Sequence, residues 1–254
     1  MTNKMENNIL EELIGEIELL GQDICDEIVN IYEKNKENAV PSGDSYRNTN
    51  DIPAEGGSMQ LQFTGSGIFE HVQPAIQMVI DHATKLWYNH VLAVIESHVG
   101  KGTEIDQHFL QCTLAGSPPW ESTAEIQAII QPVNSKHYTW HVDQPLIPDI
   151  RHNPNRRFLS LIVYLTDVED GGETEFWFGK KFKAEKGKVI IFPSVFPFIH
   201  KGTIPISADK YILQIFLNHT SPEYLLRESL EMMRGKVIEL EYKLSHYDYS
   251  NNPL

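Results

Sequence analysis

The chain has 254 residues, and its 21 lysines and arginines against 35 aspartates and glutamates give a formal net charge of −14. This length supports one substantial domain or two small ones, and the acidic field disfavours nucleic acid and anionic membranes as partners. The two cysteines, Cys25 and Cys112, lack zinc-type spacing. Neither a secretory leader nor a long apolar run is evident, so we expect a cytoplasmic protein that does not bind a membrane.

The first hundred residues are predicted to be mainly helical. Apolar residues at spacings of three and four predict amphipathic helices over Ile9–Tyr32 and Gln73–His98. Between them, Pro41–Ser58 is rich in turn formers and predicts a loop. Several histidines lie on or beside the second helix without the spacing of a paired metal site, so we expect solvated or capping roles for them: His71, His82, His90 and His98.

From Thr103 onward the pattern changes to short apolar runs separated by proline, glycine and asparagine, which is typical of a sandwich or barrel of β-strands. The predicted strands are Phe109–Leu114, Glu125–Gln131, Tyr138–Val142, Phe158–Thr166, Glu173–Phe178, Val189–Phe192 and Lys210–Asn218.

The run "RFLSLIVYLTD" predicts how one of these strands is oriented, because alternate residues of a strand face opposite sides of the sheet. One face is aliphatic and suited to packing against helices: Leu159, Leu161, Val163 and Leu165. The other face is mixed, carries a phenol and is suited to a barrel lumen with a polar site: Phe158, Ser160, Ile162, Tyr164 and Thr166.

A last helix is predicted from about Pro222 to Ser245, with a short heptad stripe. The stripe is compatible with docking onto the core or with a homodimer contact, and both remain open. We expect a single domain, with a helical support region over residues 1–102, a β core over 103–220, and the helix and tail over 221–254.

The stretch "YTWHVDQP" contains a candidate metal site. On a strand, His141 and Asp143 would project from the same face and could bind one ion. The spacing alone is weak evidence, because it recurs at His246 and Asp248 in the polar tail. A third ligand is available in His200, which follows an apolar run, and two histidines with one carboxylate form the facial triad of non-heme iron(II) oxygenases.

A candidate anion site follows in the same part of the chain. Lys210 begins an apolar strand ten residues after His200. A lysine that points into the lumen needs an anion as partner, and Tyr164 could donate a second hydrogen bond to it. A dicarboxylic cosubstrate, with one end on the metal and the other on Lys210 and Tyr164, would satisfy both sites, and 2-oxoglutarate has this chemistry.

From about Ile126 to Leu217 the chain resembles the iron(II)- and 2-oxoglutarate-dependent oxygenases, most closely the prolyl 4-hydroxylase branch. The motifs are "YTWHVDQP", "RRFLSLIVYLTD", "GGETEFWF" and "GKVIIFPS", then His200 with Lys210. The resemblance implies a mainly β, α+β fold: a double-stranded β-helix (jelly-roll) barrel flanked by N-terminal helices and a C-terminal helix. It implies Fe(II), 2-oxoglutarate and O2 as cofactors, with ascorbate as an optional reductant. The implied roles are iron ligation by His141, Asp143 and His200, and cosubstrate binding by Lys210, Tyr164 and Thr174.

One departure from the family pattern is evident: where relatives often have a tyrosine facing the cosubstrate, this chain has Gln131 or Pro132. The expected activity is hydroxylation of an unactivated C–H bond with release of succinate and CO2. A prolyl residue in a peptide or protein is the first expectation for the substrate, on the resemblance alone. The alternatives are a free amino acid or small metabolite, and a non-catalytic sensor of 2-oxoglutarate or iron.

Overall fold

The computed structural model describes residues 9–42, 57–63, 67–103, 125–135, 139–144 and 156–219. Its helices are α1 (Ile9–Glu12), α2 (Gln22–Lys34) and α3 (Gln73–Val99), with a short 3-10 turn over Lys36–Asn38. Its strands are β1 (Gly15–Glu18), β2 (Val40–Pro41), β3 (Met59–Gln62), β4 (Glu125–Gln131), β5 (Arg156–Tyr164), β6 (Thr174–Phe176), β7 (Lys181–Phe182), β8 (Lys188–Pro193), β9 (His200–Gly202) and β10 (Lys210–His219).

The strands form two antiparallel sheets. The major sheet has seven strands in the order β1-β8-β5-β10-β4-β3-β2, and the minor sheet has three in the order β7-β6-β9. Aromatic and aliphatic side chains from both sheets meet in one cluster, which includes Tyr164 and Phe192 from the major sheet and Phe176 from the minor sheet. We call the space between the sheets the lumen. The α+β class with a mainly β jelly-roll core is thus confirmed, although the described sheets do not close into a barrel.

Helices cover the opposite face of the major sheet. The aliphatic face of β5 is fully buried there, with Leu159, Leu161 and Val163 all at 0% exposure in one core with residues of α2 and α3. The mixed face of β5 points into the lumen, where Ile162 and Tyr164 join the second cluster. The predicted division of this strand into a helix-facing and a lumen-facing side is therefore confirmed for these residues.

Phe158 is the exception on this strand. We predicted it on the lumen face, but it packs on the helical side, with its ring centroid 6.5 Å from that of Trp87 in α3. The cause is a β-bulge in the pairing of β5 with β10: Leu217 pairs with Leu159, but the next residue, Asn218, pairs with Arg157. Phe158 is the extra residue, so the alternation of faces reverses at this point.

The predicted helix over Ile9–Tyr32 is wrong as a single element. It is divided into α1, the edge strand β1 and α2. Gly15 begins β1 opposite Ile191 of β8, and a Cβ at Gly15 would lie 2.7 Å from the Ile191 side chain. Pairing with the edge of the major sheet outweighs the helical periodicity here, because it hydrogen-bonds an otherwise open strand edge.

The other predicted elements have mixed outcomes. The long helix α3 is confirmed, as are β4 and, within two residues at either end, the strands that correspond to β5, β6, β8 and β10. The short strands β2, β3, β7 and β9 were not predicted. Phe109–Leu114, the final helix and most of the Pro41–Ser58 loop lie outside the described residues. In the part of the chain that the structure describes, no helix is long and apolar enough to cross a membrane.

Candidate metal and cosubstrate site

His141, Asp143 and His200 converge at one point of the lumen. One ligand atom from each lies within 4.8 Å of the others. The Nε2 atoms of His141 and His200 are 3.6 Å and 3.7 Å from the two carboxylate oxygens of Asp143. Among the described residues, no other group of histidine, cysteine and carboxylate side chains is arranged to hold a metal. The structure thus brings the three predicted residues together, while their role as ligands remains a prediction.

A pair of backbone hydrogen bonds holds the two histidines side by side. His141 N donates to His200 O over 3.0 Å, and His200 N donates to His141 O over 2.9 Å. His200 belongs to β9, which pairs with β6, whereas the pairing of His141 within the described residues is this isolated bridge. The predicted strand Tyr138–Val142 is therefore wrong for its described part, because the chain bends after His141 instead of continuing a ladder.

Both imidazole rings are oriented by a contact between Nδ1 and a backbone carbonyl oxygen. His141 Nδ1 lies 2.7 Å from the carbonyl oxygen of Thr139, and His200 Nδ1 lies 3.1 Å from that of Phe198. A carbonyl oxygen can only accept, so each Nδ1 carries a proton, and each Nε2 lies on the side of the ring that faces Asp143. This second hydrogen bond is the usual way in which a protein orients a metal-binding histidine.

The electrostatics of the cluster also suit a cation. Burial alone would raise the pKa of Asp143, but the charges of His200 and His141 and hydrogen bonds from His141 and Ser160 outweigh it and hold the pKa well below its usual range. Burial is the main cause of a lowered pKa of His200, which favours the neutral, ligating form. Asp143 Oδ2 is buried without a hydrogen-bond partner. A buried oxygen of this kind is costly unless a bound group satisfies it, so these residues fit a divalent metal.

Lys210 lies at the first position of β10, directly opposite Gln131 of β4. Its side chain is buried, with 3% exposure for the residue, and its ammonium lies 5.5 Å from the centroid of the Tyr164 ring. Burial lowers the pKa of Lys210 to about 8, and the charge of Glu173 offsets only part of this effect. Within the described ranges, no carboxylate pairs with this ammonium. A buried cation of this kind fits the free end of a dicarboxylate.

Tyr164 and Thr174 complete this part of the lumen. Both are buried, and Tyr164 Oη donates to Thr174 Oγ1 over 2.8 Å. Burial raises the pKa of Tyr164, so the phenol stays protonated and able to donate. The structure therefore brings Lys210, Tyr164 and Thr174 close together, while their role in cosubstrate binding remains a prediction.

Gln131 is one of the two residues, with Pro132, at the place where the resemblance led us to expect a tyrosine. It is buried beside Lys210, and its amide Nε2 donates to Thr203 O over 3.1 Å. Thr203 in turn donates its hydroxyl to Glu173 over 2.5 Å. Gln131 is thus a neutral hydrogen-bonding residue, and one of its amide hydrogens is already donated to the residue that follows β9.

The four histidines on or beside α3 are all exposed, which agrees with the predicted solvated or capping roles. His71 contacts Glu27 at 2.8 Å, His90 contacts Glu12 O, and His98 contacts Val94 O. His82 is exposed. The His246 and Asp248 pair lies outside the described residues.

Arg157 is a site residue that sequence reasoning missed. It donates to Asp143 O over 2.9 Å, although alternation along β5 would place it on the helical face. The only sequence signal is the pair of arginines at the start of this strand, and a bulge cannot be identified from it.

Comparison with known proteins agrees with these features. The family model described as 2OG-Fe(II) oxygenase superfamily matches residues 127–218. No curated protein sequence matches the chain. Among solved structures, the chain is similar to a viral collagen prolyl hydroxylase from Paramecium bursaria Chlorella virus-1, with a TM-score of 0.50 and 18% identity over 82% of this chain and 97% of that one. It is also similar to a Trichoplax adhaerens prolyl hydroxylase in complex with a hypoxia inducible factor peptide fragment, with a TM-score of 0.51 and 16% identity over 87% and 91%. At these identities the likeness demonstrates a shared fold.

Proposed function

Because this chain belongs to the 2OG-Fe(II) oxygenase superfamily and is a 2-oxoglutarate-dependent dioxygenase, we propose that it hydroxylates a prolyl residue in a peptide or protein. Succinate and CO2 would be the other products. The observation that carries the proposal is the juxtaposition, in one lumen, of two histidines and a carboxylate with a buried lysine that has no carboxylate partner among the described residues. The choice of a prolyl substrate is supported by the resemblance to the prolyl 4-hydroxylase branch and by the fold shared with two prolyl hydroxylases.

His141, Asp143 and His200 would hold the iron through two Nε2 atoms and the Asp143 carboxylate. Two histidines and one carboxylate on one side of an iron(II) ion leave positions open for other ligands. Bound there, Fe(II) supplies the activation of O2 that is coupled to oxidative decarboxylation of 2-oxoglutarate. The chain holds the donor atoms in place through the carbonyl oxygens of Thr139 and Phe198.

Lys210 and Tyr164 would bind the distal carboxylate of 2-oxoglutarate, and Thr174 would lie against the cosubstrate. The Lys210 ammonium provides the counter-charge, and the Tyr164 phenol provides a hydrogen-bond donor. The aromatic rings of Phe176 and Phe192 lie 5.5 Å and 4.9 Å from the His200 ring and exclude water from that side of the metal position. Exclusion of water strengthens each of these polar contacts and protects the reaction from side products.

We further propose that the helices before residue 103 and the β core form one domain. α2 and α3 share a continuous core with β5, β8 and β10, so removal of the helices would expose an aliphatic sheet face.

The proposal is tested by a screen for succinate release with Fe(II) and 2-oxoglutarate. The substrates are proline-containing peptides, the same peptides with proline replaced by alanine, and free amino acids, with His141→Ala protein as the inactive control. We expect proline peptides to raise succinate release above the uncoupled rate and to gain one oxygen atom on proline by mass spectrometry. Stimulation by free amino acids alone would replace the prolyl assignment with a metabolite hydroxylase. A protein that binds 2-oxoglutarate but releases no succinate with any of them would be a sensor.

A further inference from the structure

The β-bulge at Phe158 turns the side chain of Arg157 into the lumen. With regular alternation, Arg157 would share the helical face with Leu159 and Leu161. Because Arg157 pairs with Asn218 across the bulge, it lies on the side of the sheet that carries the metal site. Bulges are common next to active sites, where they redirect a side chain.

Three contacts fix the Arg157 guanidinium. Nη1 donates to Asp143 O over 2.9 Å, and Nη2 contacts Glu125 Oε2 over 2.8 Å. The guanidinium carbon lies 3.6 Å from the centroid of the Phe216 ring. Glu125 is itself held by Asn218, whose amide donates to Oε1 over 3.1 Å. A planar guanidinium that is both stacked and held by a carboxylate has little freedom to move.

The hydrogen bond to Asp143 O matters because Asp143 lies on no regular strand. On its N-terminal side the chain is fixed at His141 by the bridge to His200. On its C-terminal side the described contact is Gln144 N donating to Ser194 O over 2.9 Å. Between these two points, Arg157 holds Asp143 by donating to the Asp143 carbonyl oxygen. This contact limits the directions in which the Asp143 carboxylate can point.

We propose that Arg157, held by Glu125, is a positioning residue that fixes the Asp143 carboxylate for metal binding. The proposal rests on the assignment of His141, Asp143 and His200 as the metal ligands. It differs from a role in substrate contact, because it predicts an effect on metal binding when no substrate is present.

The test measures binding of Mn(II) alone to the full chain, without 2-oxoglutarate or substrate. We expect Arg157→Met to weaken Mn(II) binding by about 10- to 100-fold, the range that is typical for loss of a group that orients a metal ligand. Arg157→Lys keeps the positive charge but lacks the forked guanidinium, so its loss of Mn(II) affinity should be intermediate. The visible spectrum of the Co(II)-loaded variant should also differ from that of the wild type, which a general loss of stability would not cause.

Lys188→Met is the matched control. Lys188 of β8 is a buried cation with two carboxylate partners, Glu16 and Glu185, and it lies beside the edge strand β1. This variant should lower the unfolding temperature to a similar extent while it leaves Mn(II) affinity within about threefold of the wild type, or less than about 0.7 kcal/mol. If Arg157→Met does not fold, Glu125→Gln supplies the test, because it releases the guanidinium without removing it.

The positioning role would be overturned if Arg157→Met and Glu125→Gln both kept Mn(II) affinity within about threefold of wild type while His200→Ala lost it. The metal site would still stand in that case. Unchanged affinity in His200→Ala would instead overturn the metal site, and the proposed function with it.

Discussion

At the metal end of the lumen, the proposed ligands lie on a bend and on a three-residue strand, whereas Lys210 and Tyr164 at the cosubstrate end lie on strands of ten and nine residues. Ile212, two residues after Lys210, pairs directly with Tyr164, so the regular register of β5 and β10 sets the spacing at the cosubstrate end. At the metal end, carbonyl oxygens, one backbone bridge and Arg157 set the geometry instead.

This difference has a consequence for substitutions. A side chain on a long paired strand can be truncated without moving its neighbours, because the ladder keeps its hydrogen bonds. A side chain on a bend is held by fewer contacts, so the loss of one orienting group can shift a ligand atom. Substitutions at the cosubstrate end should therefore weaken only the binding of 2-oxoglutarate. Substitutions at the metal end should weaken metal binding, and with it every later step of the reaction.

The largest expected effect is at the metal end. His141→Ala, Asp143→Ala or His200→Ala should abolish 2-oxoglutarate-dependent succinate release, since each removes one of three donors that converge within 4.8 Å. Turnover under saturating Fe(II) measures this. His82→Ala, at an exposed position of α3, and His246→Ala, from the second His-x-Asp spacing, should remain near wild type. Comparable losses in the two sets of variants would contradict the assignment.

At the cosubstrate end, Lys210→Ala should weaken 2-oxoglutarate binding without loss of metal. Removing one partner of a buried charge pair costs roughly 2–5 kcal/mol, which corresponds to about a 30- to 4,000-fold increase in Kd. Calorimetry on the Mn(II)-loaded protein measures both affinities. Lys183→Ala, at a half-exposed lysine, is the control. A change of less than about threefold in Lys210→Ala would mean that the pocket is misplaced.

The two ends also differ in how far the sequence predicted them. Strand alternation correctly assigned Tyr164 to the lumen and Leu161 to the helical face, because period-two patterning is a local property of the chain. The grouping of His141 with His200 followed from residue types and spacing, although the strand predicted around His141 was wrong. The type of ligand was therefore easier to predict than the backbone that holds it.

What the sequence could not predict depends on pairing between distant segments. The bulge that redirects Arg157 exists only in the register between β5 and β10, and nothing in either strand alone marks it. Similarly, β1 is a strand because the edge of β8 is available to it, although its own residues continue a helical pattern. The contact of Gln131 with Thr203 joins segments that are far apart in the sequence.

The pH dependence of 2-oxoglutarate binding should be confined to the cosubstrate end. The pKa of Lys210 is lowered to about 8 by burial, and only the protonated ammonium can bind the carboxylate. Affinity should therefore be high below the pKa and fall as pH rises through it, by about tenfold between roughly pH 7 and pH 9. Lys210→Arg, which stays charged over this range, should bind more weakly but lose the alkaline decline. An equal decline of affinity in Lys210→Arg would mean that a group other than Lys210 causes the pH dependence.

The smallest effect is expected for Tyr164→Phe, which removes one hydroxyl and keeps the buried ring. Loss of one hydrogen bond costs about 0.5–1.5 kcal/mol, so 2-oxoglutarate should bind about two- to tenfold more weakly.

In the structure the Tyr164 hydroxyl donates to Thr174, so it can donate to a carboxylate only if Thr174 becomes the donor to Tyr164. Thr174→Val removes that donor and should cause a loss of similar size, and the double variant should lose less than the sum of the two, because both changes break one chain of hydrogen bonds. Calorimetry on all three variants measures the coupling. Strictly additive losses would mean that Tyr164 and Thr174 contact the cosubstrate independently.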